Sequence, residues 1–150
     1  MADSISAVSK CAAGTLRRAT RSIARLYDAR LAPAGLTNSQ FSVLRAIACR
    51  DDPVRLTELA DELVFERTSL YRTLEPLARE GLIQVSNVGS RMKQVTLTAK
   101  GARRVAKALP LWSAAQEEFV TRFGRAAWND MARRLAEIVE IARTMPIDAP

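Results

Sequence analysis

Two groups of basic and hydroxyl side chains lie in the middle of the sequence. The first is Arg67, Thr68, Ser69, Tyr71, Arg72 and Thr73, and the second is Ser90, Arg91 and Lys93. Arginine can hydrogen-bond a guanine edge through two donors, and hydroxyl side chains can reach bases or phosphates. No acidic residue lies between Arg67 and Arg72, as a surface that faces a polyanion requires. These residue types suit contact with nucleic acid. For the second group, a basic turn on an ordinary α+β protein is the alternative.

Residues for catalysis and metal binding are sparse. The sequence contains no histidine, which is the commonest general base and a common metal ligand. Its two cysteines, Cys11 and Cys49, lack metal-ligand spacing and are too few for a disulfide framework. The sequence also lacks a paired-carboxylate site, a glycine-rich phosphate loop and a nucleophile motif. We therefore expect a protein that is not an enzyme and that uses no metal and no cofactor.

The charge balance favours an anionic partner. The net charge is +7, which points to nucleic acid first and to an acidic membrane surface second. Aromatic residues are not interleaved on the basic faces, as membrane-surface helices prefer. No apolar run approaches the roughly 20 residues that span a bilayer, and the N-terminus has no secretory signal. We expect a cytoplasmic protein without a membrane partner.

The first basic group falls on the second of two short predicted helices. Thr57 is predicted to cap a helix from Glu58 to Leu63, and a brief break separates it from a helix over Arg67–Glu80. Gly81 at the C′ position ends this second helix. Two helices joined in this way form a helix-turn-helix, and the second helix of such a unit lies in the major groove of DNA.

The second basic group falls on a predicted β-hairpin. Ile83 and Val85 alternate with polar residues, as do Val95 and Leu97, and turn residues separate the two runs. A basic hairpin tip beside the groove suits phosphate contact or insertion into the minor groove. The order predicts a winged helix-turn-helix that reads double-stranded DNA over about Leu56–Thr98. A winged helix that binds protein would instead need an acidic or apolar recognition surface.

Longer helices are predicted on both sides of this unit. Apolar residues at steps of three and four predict a helix over Ile5–Leu31, and a capping box at Thr37–Gln40 starts a helix over Asn38–Cys49. A helix that Thr98 caps carries Pro110, which is expected to bend it. The last helix repeats its apolar residues at about 3.5 positions, a period typical of helix association. The expected fold is therefore mainly α with a small β-hairpin wing (α+β).

Along nearly its whole length the sequence resembles the MarR family of bacterial regulators. The segments that carry the resemblance are Leu36–Leu44 (LTNSQFSVL), Leu56–Ala60 (LTELA), Arg67–Leu74 (RTSLYRTL), Leu77–Ile83 (LAREGLI) and Val95–Gly101 (VTLTAKG). The resemblance implies a homodimer on a palindromic operator, in which residues 1–35 and 99–150 form a helical dimerisation region around a winged unit of residues 36–98. It also implies that a small molecule or an oxidant modulates DNA binding. We expect a repressor, and an activator is the alternative.

The resemblance places an effector cavity between the dimerisation helices and the winged unit. The candidate lining residues for an aromatic or anionic effector are Arg17, Tyr27, Phe41 and Trp112. Core or dimer packing is the commoner role of such residues and is the alternative for each of them. Cys11 is a candidate for oxidation because the neighbouring Lys10 would favour the reactive thiolate, and an inert packing role is its alternative.

Two features depart from the family pattern. The hairpin is about two residues shorter than usual, and Gly89–Ser90 stands where an acidic residue commonly precedes the tip arginine, which here is Arg91. Pro76 lies inside the predicted recognition helix and removes one backbone donor, so that a local distortion is expected near Arg72.

Overall fold

The computed structural model describes residues 11–89 and 92–146. Within them lie six α-helices and three strands. They are α1 (Ala12–Leu31), α2 (Asn38–Ala48), β1 (Val54–Arg55), α3 (Leu56–Leu63), α4 (Arg67–Arg79), β2 (Ile83–Val88), β3 (Met92–Leu97), α5 (Ala99–Phe123) and α6 (Arg125–Thr144). The chain divides into two compact units, of which the first ends at Trp112 and the second begins at Ser113. The predicted fold class, mainly helical with a small wing, is confirmed.

Local capping fixes the ends of the first two helices. Cys11 occupies the N-cap of α1, and the predicted start of this helix at Ile5 lies outside the described residues. The capping box predicted for α2 is confirmed: the Thr37 hydroxyl accepts from the Gln40 amide at 3.2 Å, and the Gln40 side chain accepts from the Thr37 amide at 3.0 Å. A carboxylate oxygen of Asp28 also accepts from the Asn38 amide at 2.6 Å, which ties α1 to the start of α2.

Helix α3 begins earlier than the sequence predicted. Arg55, not Thr57, occupies its N-cap and provides no side-chain hydrogen bond. The reason is that Val54 and Arg55 form a short strand, in which Val54 pairs with Val95 of β3. This pairing fixes the direction of the chain, so that the buried Leu56 opens the helix.

The helix-turn-helix has the connection that was predicted. Three residues, Val64–Glu66, join α3 to α4, and Val64 takes a left-handed conformation with φ 53°. Helix α4 ends in a Schellman motif, because the Gly81 amide donates to Ala78 and the Leu82 amide donates to Leu77, each at 2.9 Å. Gly81 has φ 71°, a conformation that glycine adopts at little cost. The helix continues through Pro76 without interruption.

The sheet contains one strand more than the hairpin. Its order is β1-β3-β2, and all pairs are antiparallel. The hairpin that the alternation predicted is present, and in it Ile83 pairs with Leu97 and Val85 with Val95. The sheet packs on α2, α3 and α4 through a core of buried side chains that includes Leu31, Phe41, Leu44, Leu59, Leu70, Leu77 and Val95.

The second unit holds the end of α5 and all of α6. Phe119 stacks on Phe123 with ring centroids 5.9 Å apart, and Trp128 meets Phe119 edge-on at 5.4 Å. Gly124, with φ 95°, turns the chain between the two helices. In the described part of the chain no helix is both long and apolar enough to cross a membrane.

Candidate nucleic-acid interface

Helix α4 has one buried and one exposed face. Leu70, Leu74 and Leu77 are buried in the core. Because residues three or four positions apart share a helix face, the first turns of α4 turn their other side outward. The side chains that this places in solvent are Arg67, Thr68, Tyr71 and Arg72. Four of the six residues predicted on this helix therefore form one continuous basic and hydroxyl-bearing surface.

The other two predicted residues of α4 are less available. Ser69 and Thr73 are half-buried. The Thr73 hydroxyl donates to the Ser69 carbonyl at 3.0 Å, so that its only donor is used inside the helix. These residues can still offer acceptor lone pairs or a methyl group, but they lie at the margin of the exposed surface.

One side-chain contact between the wing and the recognition helix is that of Lys93 with Tyr71. The Lys93 ammonium lies 5.4 Å from the centre of the Tyr71 ring, within the range of a cation–π interaction. Lys93 is exposed on β3, and Met92 beside it is 46% exposed. Ser90 and Arg91, the other two residues predicted for the wing, lie outside the described residues.

Arg55 is a basic residue of this surface that the sequence did not single out. It lines a cleft together with Arg67 and Lys93, which come from α4 and β3. The cleft depends on the pairing of β1 with β3. Because a two-residue strand is too short to show an alternating pattern, no sequence pattern indicates this position of Arg55.

The recognition helix is anchored at its C-terminal end to the start of α5. The Lys100 ammonium donates to the Glu80 carbonyl at 2.6 Å, and the Thr98 hydroxyl donates to the Gly81 carbonyl at 2.7 Å. Gly101 allows the close approach of the two segments, because a β-carbon there would lie 2.0 Å from the Leu82 carbonyl oxygen. The segment that ends α4 is therefore held against the start of α5.

Two of the four candidate effector residues lie together. The rings of Phe41 and Trp112 are 6.0 Å apart, and Phe41 is buried. Arg45, which the sequence did not single out, places its guanidinium 4.3 Å above the Trp112 ring. Tyr27 is also buried, and loss of solvent raises the pKa of its hydroxyl. Arg17 is exposed on α1, about 15 Å along the helix from Tyr27 at 1.5 Å per residue.

Both cysteines are exposed. The Cys11 sulfur accepts from the Gly14 amide at 3.4 Å and so caps α1. Cys49 lies at the C-cap of α2. Cys11 is thus accessible to an oxidant at the start of a helix, and Cys49 is a second accessible thiol at a helix end.

A helix-turn-helix with a basic exposed second helix and a wing defines the class of winged helix DNA-binding proteins. Residues 36–101 match the winged helix DNA-binding domain model. The structure of the *M. tuberculosis* transcriptional regulator MosR in complex with DNA shares 40% identity, covers 89% of this chain and 96% of that one, and has a TM-score of 0.81. The chain belongs to the MarR family and is a DNA-binding transcriptional regulator.

Further structures share this fold. The repressor CouR bound to a 23-mer DNA duplex is 27% identical, with coverage of 87% of this chain and 94% of that one and a TM-score of 0.76. *Rhodococcus jostii* RHA1 CouR bound to p-coumaroyl-CoA is 20% identical, with coverage of 95% and 98% and a TM-score of 0.74. A search among curated proteins finds no match. The family consists of transcriptional regulators, a class of proteins that are not enzymes.

Proposed function

We propose that the protein is a homodimeric repressor that binds a palindromic operator and releases it in response to a ligand or an oxidant. The observation that carries this proposal is the exposed face of α4, where Arg67, Thr68, Tyr71 and Arg72 stand opposite the buried leucines. In a winged helix-turn-helix these first turns enter the major groove, where arginine discriminates guanine from other bases. We assign Lys93, together with Ser90 and Arg91, to contacts with the adjacent DNA backbone or with the minor groove.

A second copy of the chain is the partner we assign to α6. Apolar side chains on this helix are exposed in the isolated chain, among them Met131 (40%) and Ile138 (41%), and so is Met145 (61%) at its C-cap. With Leu135 and Ala142 they recur at steps of three and four, the spacing of a helix-packing stripe. A two-fold dimer would cover this stripe and present two recognition helices to the two halves of a palindrome.

Two observations support control of DNA binding. Trp112 is half-buried against the ring of Phe41 with the Arg45 guanidinium over it, and it offers aromatic surface beside a positive charge to an aromatic or anionic effector. Tyr27 and Arg17 remain candidates for the same pocket. CouR, which shares the fold, is described with p-coumaroyl-CoA, so the fold can accommodate an organic ligand. Exposed Cys11 supports oxidant control instead.

Genome-wide footprinting with the purified protein, with and without peroxide, tests the proposal. We expect a set of palindromic sites whose half-sites are separated by about one helical turn of DNA, ~34 Å, or a multiple of it. Repression would appear as overlap of these sites with promoters and as derepression when the gene is deleted. Recovery of sites without two-fold symmetry would contradict the dimeric mode, and the absence of any enriched site would contradict operator binding.

A further inference from the structure

A cleft of about 170 Å³ separates the recognition helix from the wing. Three elements bring a cation to it: Arg55 from β1, Arg67 from the first turn of α4, and Lys93 from β3. Thr57 lines the same cleft and can contribute its hydroxyl. Leu70, which is buried, forms part of the apolar lining. The cleft therefore combines an apolar wall with three basic lining residues.

Among the described residues, few acidic groups balance these charges. Glu58 lies 3.8 Å from the Arg55 guanidinium, but both side chains are 58% exposed, and solvent-exposed pairs of this kind contribute little. Within the part of the chain that the structure describes, no ion pair engages Arg67 or Lys93. Positive side chains that line one cavity repel one another. An anion bound in that cavity would attract each of them and so offset the repulsion.

The Lys93–Tyr71 contact helps to hold this arrangement. The ammonium lies 5.4 Å from the ring centre, so that Lys93 is kept near the recognition helix rather than turned to solvent. Tyr71 lines the cleft as well as belonging to the exposed face of α4. Tyr71 therefore acts as a positioning residue for Lys93.

We infer that this cleft is an oxyanion site that holds one DNA backbone phosphate at the junction of recognition helix and wing. The inference rests on the proposed DNA-binding mode and adds Arg55 and the cleft to it. A phosphate offers several acceptor oxygens, and a guanidinium can bind two of them at once while an ammonium acts as a point charge. The cleft lies beside the exposed face of α4, where a backbone strand would pass if that helix entered the major groove.

Operator duplexes with a single neutral methylphosphonate linkage, moved one position at a time, test the inference. Neutral linkages at contacted phosphates should weaken binding of the wild-type protein. Arg55→Gln should bind the unmodified operator three- to tenfold more weakly, with a salt slope smaller by about 0.9 for each half-site, or about 1.8 for the proposed dimer. At one linkage per half-site the neutral substitution should then weaken this variant less than it weakens the wild type, because one of the contacts with that phosphate is already lost.

Two more variants make the result decisive. Lys93→Gln should show a reduced response at the same linkage as Arg55→Gln, because both side chains bind one phosphate. Arg103→Gln removes an equal charge from an exposed position of α5 and should keep the wild-type response at every linkage. Circular dichroism of each variant confirms that its fold is unchanged. If every linkage weakens Arg55→Gln and Lys93→Gln as much as the wild type, the cleft does not hold a backbone phosphate.

Titration of the DNA-free protein with inorganic phosphate at constant ionic strength separates the two sources of the anion. Thermal stabilisation that Arg55→Gln loses, together with full linkage sensitivity of that variant, would overturn the DNA assignment in favour of a free anion. Reduced linkage sensitivity supports the DNA assignment. Failure of the operator-binding mode itself would appear differently, as unchanged sequence discrimination in Arg72→Ala.

Discussion

Arg72 is the exposed residue of α4 from which we expect the largest share of sequence discrimination. Arg72→Ala should weaken operator binding by about 1–3 kcal/mol and binding to an unrelated duplex much less, because a bidentate arginine contact reads one base pair. Fluorescence anisotropy with both duplexes measures the difference.

The matched control is Arg79→Ala. Arg79 lies on the same helix and is 72% exposed, but it is beyond the first turns and pairs with Glu75 at 3.0 Å. Its loss should change the affinity for both duplexes equally and only slightly. If Arg72→Ala and Arg79→Ala bind the operator alike, Arg72 does not read a base.

Cys11 is the residue whose oxidation would give the protein a redox response. Peroxide should weaken operator binding of the wild-type protein at least tenfold, and Cys11→Ser should keep its affinity, because the exposed sulfur is the oxidised atom in this hypothesis. Intact-mass spectrometry locates the modification.

Cys49→Ser is the control, since Cys49 is equally exposed but lies at the C-cap of α2. It should lose affinity on oxidation as the wild type does. If Cys49→Ser, and not Cys11→Ser, keeps its operator affinity in peroxide, Cys49 is the redox-sensitive cysteine. If peroxide leaves the affinity of the wild-type protein unchanged, the protein responds to a ligand and not to an oxidant.

The element that joins α3 to α4 carries a strained residue. Val64 has φ 53° and ψ 44°, a conformation that β-branched residues rarely adopt, and its side chain is 63% exposed. Val64→Asn should raise the free energy of unfolding by about 1 kcal/mol, because asparagine tolerates the left-handed region and little packing is lost. Chemical denaturation measures the change.

Val88→Asn is the comparison for this substitution. Val88 is 37% exposed but lies in strand β2, where asparagine is disfavoured. It should lower the stability or leave it unchanged. A destabilised Val64→Asn would show that the exposed valine contributes packing that outweighs the backbone strain.

Elements set by local signals could be predicted from the sequence. The capping box of Thr37 and Gln40 and the left-handed Gly81 act over three or four residues, and the structure has both. The start of α3 could not be predicted, because it depends on Val54 pairing with Val95, forty-one positions along the chain. A local hydroxyl at Thr57 was available, but the strand pairing determined the start.

The candidate site divides in the same way. The exposed face of α4 follows from the period of its leucines, so Arg67, Tyr71 and Arg72 could be identified in advance. Arg45 and Arg55 could not, because each acquires its neighbours from a distant element: Trp112 of α5 for Arg45, and Lys93 of β3 for Arg55. Side-chain contacts across elements leave no periodic pattern in a sequence.

At the scale of the whole molecule, positive charge is distributed beyond the winged unit. The net charge is +7, and Arg17, Arg21 and Arg25 follow one another by single turns on α1. These side chains are exposed. We expect these arginines to raise the rate at which the protein encounters DNA, because long-range electrostatic attraction speeds association. This attraction does not read the DNA sequence and is screened by salt.

The proposed dimer concerns the whole molecule, because one dimer must bind both half-sites of the operator. Ile138→Glu should weaken dimerisation at least a hundredfold, since it would place an uncompensated charge in the apolar stripe of α6, where Ile138 is 41% exposed in the single chain. Asn129→Glu adds the same charge to an exposed position on the opposite side of the helix and should leave dimerisation intact. Sedimentation velocity gives the oligomeric state, and operator titration in the same buffer shows whether the palindrome is lost with it. A wild-type protein that sediments as a monomer would contradict the assignment of a second copy of the chain to the apolar stripe of α6. A dimeric Ile138→Glu would instead place the interface elsewhere on the chain.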